Sequence, residues 1–442
     1  MKRWLVVLLV LLALIILVSP GIVGRIAEKN LEENIEWAES EAGGIQFRTE
    51  SFDRGWFTSE GRNRVVLSDT AFSEMAEDYR ARTGYPELPS LVIDTRLDHG
   101  LVPIASLGRE SGSLEPGLAS TVSTFQLDPG NGELVPLPGA LYSKVHLNGT
   151  SDSHYLLEAG DLELESVRIE WQGADVALHT DWAGGVFTAK GGIEPVVISE
   201  GSNTVRIGAM SVAADQTRSD YGFNVGTAEF SIESMELESP GSRVTIGNMS
   251  FASDARIDDQ RLDVGTKMDI DAITVPGIGA MDFDFDLGLY RLNADSVRVV
   301  AAAFREAQAS ADPEAALAEI FPRIETDLQN IVSSGAELRI NQLDLKFPQG
   351  VLATKLRVDI PEDDSGTDFS WSRVLLDMTA TADVRISAEL YEFAKMMNPQ
   401  SGSLEAMGLL RKEGDDYVMN AEYAQGLLSV NGAPMPIPMP GM

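Results

Sequence analysis

The 442 residues predict a mainly β protein with some helix. The expected order is an N-terminal transmembrane helix, then an elongated curved antiparallel β-sheet with an internal repeat, capped by a few helices. Three observations carry this expectation. Apolar and polar residues alternate in short runs along most of the chain, a set of positions recurs 39 residues later, and the chain opens on an apolar run of bilayer length. Hydrophobic residues at 44% and charged residues at 23% are ordinary for a globular chain. The charge is not ordinary: 34 basic against 68 acidic side chains leave −34, which repels phosphate backbones and excludes nucleic acid as a partner. The absence of cysteine excludes disulfides, thiolate metal sites and cysteine nucleophiles.

Lys2 and Arg3 precede the uninterrupted apolar run from Trp4 to Val18, and no further charge occurs before Arg25. Trp4 to Val23 is 20 residues, about 30 Å of helix at ~1.5 Å per residue, the thickness of a bilayer core. Ser19-Pro20-Gly21 lacks the A-x-A pattern of a cleavage site, so residues 1–24 read as a retained signal-anchor. The positive-inside rule keeps Lys2 and Arg3 cytoplasmic. In a bacterium this describes a single-pass inner-membrane protein, held in the membrane by residues 4–23, with a periplasmic C-terminal ectodomain. Ile26, Leu31 and Ile35 at helical spacing predict a membrane-proximal helix over 25–44, ended by Gly43-Gly44.

Residues 45–294 predict an extended β meander. It opens with Arg54-Gly55-Trp56-Phe57. Gly55 permits a backbone that a β-carbon would hinder, and the two aromatics fit either a packed corner between the first strands or an aromatic docking site. Downstream, Val167, Ile169, Trp171 and Phe283, Phe285, Leu287 mark strands with one buried face. Val205, Ile207, Gly208, Met210, Asp215 and Gly226 recur as Val244, Ile246, Gly247, Met249, Asp254 and Gly265, so segments 205–227 and 244–266 predict one supersecondary unit used twice.

A helical insertion is expected over 295–333. Val299, Ala303, Leu317, Ile324 and Leu328 hold helical spacing, and Asp312-Pro313 forms an N-cap with proline at the first helical position. These helices should cover one apolar face or end of the sheet. Residues 334–433 return to strands, including Val374 to Ile386, with short helices over 387–397 and 403–411 and a closing hairpin. Residues 434–442 form a proline-rich tail, expected to be extended.

Both ends of the ectodomain carry recognisable motifs. The N-terminal span, Arg54-Gly55-Trp56-Phe57, and the closing Asp415-Asp416-Tyr417 and Asn431-Gly432 resemble the YdgA-like family of bacterial inner-membrane-anchored periplasmic proteins of unknown function. The resemblance spans nearly the whole chain, implies an envelope location, and brings no catalytic residues; its motif positions read as structural.

Chemistry is sparse. No two of His99, His146, His154 and His179 have the i, i+4 spacing of a helical zinc site, although His146 and His154 flank a turn at Asn148-Gly149. Neither a G-x-S-x-G elbow nor a phosphate-binding glycine loop occurs. Asp282, Asp284 and Asp286 invite a calcium reading, but glycine falls seventh and Asn293 twelfth where an EF-hand needs glycine sixth and glutamate twelfth. The expectation is a strand with a wet acidic face, a protein without cofactor, and no enzyme. Two function classes stand. One is binding or conducting phospholipid or another hydrophobic ligand along the sheet, an architecture similar to that of AsmA-type envelope carriers. The other is a structural scaffold, a homo-oligomer or an assembly factor for an envelope partner. An open apolar inner face favours the first, a sealed one the second.

Overall fold

The computed structural model describes residues 45–67, 73–100, 117–164, 167–181, 185–277, 279–308, 313–363 and 369–435. The expected membrane span, the helix over 25–44 and the tail from 436 onward lie outside the described residues. Among the described residues no helix is long and apolar enough to cross a membrane.

In chain order the elements are β1 (Ile45–Arg54), β2 (Thr58–Leu67), α1 (Ser73–Thr83), β3 (Ser90–His99), β4 (Ala119–Asp128), β5 (Val135–Val145), β6 (Thr150–Leu157), β7 (Gly160–Leu164), β8 (Val167–Trp171), β9 (Ala174–Asp181), β10 (Val186–Ile193), β11 (Val196–Glu200), β12 (Asn203–Ile207), β13 (Met210–Arg218) and β14 (Asn224–Ile232). There follow β15 (Met235–Ser239), β16 (Ser242–Ile246), β17 (Met249–Asp258), β18 (Arg261–Val275), β19 (Gly279–Asn293), α2 (Ala294–Gln308), α3 (Pro313–Ser333), β20 (Glu337–Phe347), β21 (Gly350–Asp359), α4 (Trp371–Asp377) and β22 (Thr379–Ser387). The chain closes with α5 (Ala388–Met397), a 3₁₀ turn at Pro399–Gly402, α6 (Ser403–Ala406), β23 (Arg411–Glu413), β24 (Asp416–Ala424), β25 (Leu427–Val430) and β26 (Ala433–Met435). Strands dominate, as the alternation requires.

The chain forms two compact units, one from Met1–Gly160, Gln172–Ile193 and Ala302–Phe321, the other from Asp161–Trp171, Glu194–Ala301 and Pro322–Met442. In the first, antiparallel pairings order the strands β1-β2-β3-β4-β5-β6-β9-β10. Helix α1 interrupts the meander expected over 45–294. It is barely amphipathic, and it is tied down by buried Ala76 and by Tyr79, whose hydroxyl donates to Pro129 O at 2.6 Å. A helix of such weak amphipathicity leaves no 3.6-residue stripe to read.

In the second unit, β13-β14-β17-β18-β19-β20-β21-β22-β24 form a continuous antiparallel ladder. Beside it, β8-β11-β12-β15-β16 form a second ladder of five-residue strands. The recurring segments explain the arrangement. Long strands break at one level, at Gly208-Ala209, Glu233-Ser234 and Gly247-Asn248, yet the backbone bonds bridge the break: Gly208 N donates to Ser234 O (2.7 Å), Glu233 N to Ala209 O (2.8 Å) and Gly247 N to Asp271 O (2.9 Å). Gly226 and its counterpart Gly265 each face an aspartate of the neighbouring strand, Gly226 its backbone oxygen and Gly265 its movable carboxylate. A β-carbon would lie 2.1 Å from Asp215 O and 2.4 Å from Asp254 Oδ1 respectively.

Two boundaries differ from expectation. Val374–Asp377 are helical, in α4, and the strand starts at Thr379; seven residues are too few for helical periodicity to stand out. The helix expected over 403–411 stops at Ala406, because Gly408 takes the left-handed φ of 75° and Arg411 enters β23.

Candidate functional site

One face of the long ladder in the second unit is uniform in character. Cross-strand pairing aligns four rows. The first runs Met210, Ile232, Met249, Ile270, Phe283, Leu345, Leu352, Ile386, Tyr417, and the second runs Val212, Phe230, Phe251, Met268, Phe285, Leu343, Thr354, Val384, Met419. The third and fourth start on smaller residues, Ala214, Ala228, Ser253 and Gln216, Gly226, Ala255, and end at Ala421 and Tyr423. No row contains a charged residue, in a chain of net charge −34. Strand β20 keeps this face across an irregularity: its apolar residues fall at 338, 340, 343 and 345, and a bulge between Ile340 and Leu343 absorbs the extra residue.

The face is not sealed. Phe230 and Phe251 are 38% and 36% exposed, and most other members of the rows are half-buried, as side chains are when only their sheet neighbours shade them. Helices α2 and α3 bury Ala303, Ala307, Ile320 and Ile324. Uncovered apolar area on this scale marks a surface that meets something other than water.

The opposite face is polar, and part of its negative charge is paired. Asp284 pairs with Lys346 at 2.8 Å, Asp286 with Lys267 at 3.5 Å and with the Asn341 amide at 2.8 Å, and Asp282 accepts from Ala272 N at 2.8 Å. Further along, buried Glu337 receives Arg339 (2.5 Å), Arg357 (2.8 Å) and Arg291 (3.5 Å).

The closing motif frames the far end of the apolar face. Tyr417 packs with Tyr391 and Leu410 in a buried cluster joined by Ile386, Ala388, Leu404 and Met419. Asp415 supplies the carbonyl that receives Ala388 N (2.9 Å), and Asp416 lies 3.7 Å from Arg385. Asn431 and Gly432 take φ of 51° and 80°, the geometry of a tight hairpin turn, and the Asn431 amide donates to Gly408 O (3.1 Å) and Leu409 O (3.2 Å).

The other motif lies in the first unit. Arg54 ends β1, and Gly55 N donates to Thr58 O at 2.8 Å in a turn too tight for a β-carbon, which would sit 2.6 Å from that oxygen. Trp56 and Phe57 occupy this turn and are exposed, which is not the packing expected of a corner. Nearby, Ser59 Oγ and His99 Nε2 meet at 3.0 Å, both buried.

Sequence reasoning missed what the other three histidines do. Register places Asp152 opposite His179 and brings His146 beside it, so both imidazoles donate to one carboxylate, at 2.7 Å from His146 and 2.6 Å from His179; His154 pairs with Asp175. Lone residues 6 to 27 positions apart give no local signal for such a cluster. Among the described residues no three His, Asp or Glu side chains are placed to share a metal ion. The His179 and His146 hydrogen bonds hold the Asp152 carboxyl below the usual carboxylate range. A depressed folded value contributes stability above the unfolded value of about 4, and that contribution is lost as pH falls through the folded one. Asp152→Asn is therefore expected to lower the urea midpoint at pH 6, with the gap to the native protein closing below pH 4. An equal gap at both pH values would show the carboxylate charge to be irrelevant.

No curated protein and no solved structure matches the chain significantly. A family model described as bacterial protein of unknown function matches residues 1–438, and the chain therefore belongs to that family, DUF945.

Proposed function

We propose that this protein is a non-enzymatic component of the bacterial cell envelope that binds lipid or a similar hydrophobic ligand on the apolar face of its long ladder. One observation carries the reading: four aligned rows without a charged residue stay half-open to solvent in a protein of net charge −34. The physical driving force is burial of apolar area, worth roughly 25 cal/mol per Å² removed from water. The signal-anchor reading of residues 4–23 supports an inner-membrane location with the ladder on the periplasmic side, within reach of bilayer lipid. The YdgA-like kinship suggested by the two end motifs belongs to the same proposal. A scaffold would favour the same face closed by its own helices or by a second copy.

The test uses the full chain in cells. Phe251 is replaced by photoreactive benzoylphenylalanine, the cells are irradiated and the intact mass of the purified protein is measured. A covalent adduct of lipid mass is the expected result. A doubled chain mass would support the scaffold instead, and an unmodified chain would sink the lipid reading.

A further inference from the structure

The two ends of the apolar face differ. Tyr391 and Tyr417 are 1% and 4% exposed where the rows meet β24, against the open Phe230 and Phe251 on β14 and β17. Helix α5 packs on β21, β22 and β24 and sets Tyr391 against Tyr417, ring centroids 4.3 Å apart, with the Tyr391 hydroxyl donating to Ser401 O at 2.8 Å. The Lys395 ammonium lies 4.9 Å from the Tyr391 ring and 6.0 Å from that of Tyr417. Tyr423, ending the fourth row, is buried and donates to Leu375 O of α4 at 2.5 Å. The second row thus leads from two exposed phenylalanines to Met419, which packs against the buried tyrosine cluster.

From this asymmetry we infer that the face is a slot with one closed end, filled tail-first by acyl chains that enter beside Phe230 and Phe251, so the protein holds amphiphiles and does not pass them through. The inference rests on the lipid-binding reading. The occupant follows from the floor of the slot. Beside Phe230 and Phe251 lie Ala214, Ala228, Ser253, Gly226 and Ala255, small residues without charge, and the same two rows continue inward as Leu287, Ile340, Leu356 and Leu289, Leu338, Val358. Rows two residues apart on a strand are spaced ~7 Å, narrower than a helix of about 10 Å diameter, and they suit a polymethylene chain. Seven strand spacings separate Phe230 from Met419, about 34 Å at ~4.8 Å each, close to the ~30 Å hydrocarbon core that two opposed lipid chains fill. Two chains therefore fit end to end, the first with its methyl end at Met419.

The experiment adds to the full-length protein a long-chain fatty acid carrying a diazirine either at its methyl end or beside its carboxylate, then maps the adducts by peptide mass spectrometry. Methyl-end label is expected on peptides holding Val384 and Met419 and at mid-row on those holding Met268 and Phe285, but not at Phe230 and Phe251; carboxyl-end label is expected at mid-row and on peptides holding Phe230 and Phe251, but not at Met419. Phe251→Glu at the exposed mouth should reduce labelling at Met419 by about tenfold or more, the loss of one well-placed aromatic contact plus an added charge. Both labels spread alike over the rows would overturn the closed end while leaving lipid binding intact. No adduct on any row with either probe would remove the binding reading itself.

Discussion

Tyr391→Ala should cost about 4 kcal/mol of stability, the range for emptying a large aromatic from a core. The ring is 1% exposed and packs against Tyr417, Leu410 and Leu404, so its removal leaves a cavity bounded by helix on one side and sheet on the other. The hydroxyl adds a second loss. Burial pushes its phenol above the ordinary value, so it remains a donor to Ser401 O, and deleting it alone in Tyr391→Phe should cost ~1 kcal/mol. Urea unfolding followed by tryptophan fluorescence separates the two variants. Equal midpoints for Phe and Ala would mean that packing at this end contributes nothing. Because the same ring closes the slot, the alanine variant should also move methyl-end photolabel past Met419.

Glu337→Ala should cost about 3 kcal/mol, at the lower end of the range for breaking a buried ion pair. Glu337 is 5% exposed and is the common partner of three guanidiniums: Arg339 grips both oxygens at 2.5 and 2.9 Å, Arg357 reaches Oε1 at 2.8 Å, and Arg291 stands 3.5 Å from Oε2. Asp359 shares Arg291 at 2.5 Å but cannot balance three cations alone. The arginines keep partial access to water, which moderates the loss. In a double-mutant cycle, removing Arg339 together with Glu337 should cost less than the sum of the two single changes, since the orphaned charge is then absent. Additive costs would show that the pair does not interact. The loss should also persist in 0.5 M salt, because a buried carboxylate is poorly screened.

The two large effects sit on opposite faces of one sheet, and together they show how the acidic composition is accommodated. Within the long ladder the strand carboxylates lie on the polar face, where cross-strand pairs such as Asp284 with Lys346 and Arg256 with Asp263 neutralise part of them. The apolar face is left free of charge. A side-chain period of two keeps the segregation strict, because a shift of one residue in register would bring aspartates into the rows.

Much of this was legible from residue order. Alternation is a local property of each strand, so the dominance of β structure, the helical pair 295–333 and the recurring segments followed from periodicity alone. Asn431-Gly432 marked the closing hairpin. Short or weakly patterned elements were not legible: α1 is barely amphipathic and α4 has seven residues, so neither leaves a periodic trace. Nor was the exposure of Trp56 and Phe57, because an aromatic pair reads alike in a core and on a turn.

What residue order determined by itself is which residues share a face within a strand, since that depends only on the two-residue period, and how much net charge the whole must carry. Tertiary structure alone decided which strands lie side by side. Pairing across large sequence separations turned separate alternating runs into four continuous rows, and gathered His146 and His179 around the Asp152 carboxylate. It also decided that the rows close at Tyr391 and stay open at Phe230, because covering a face depends on where a helix lands after the chain has turned back, a non-local event that no spacing of residues encodes.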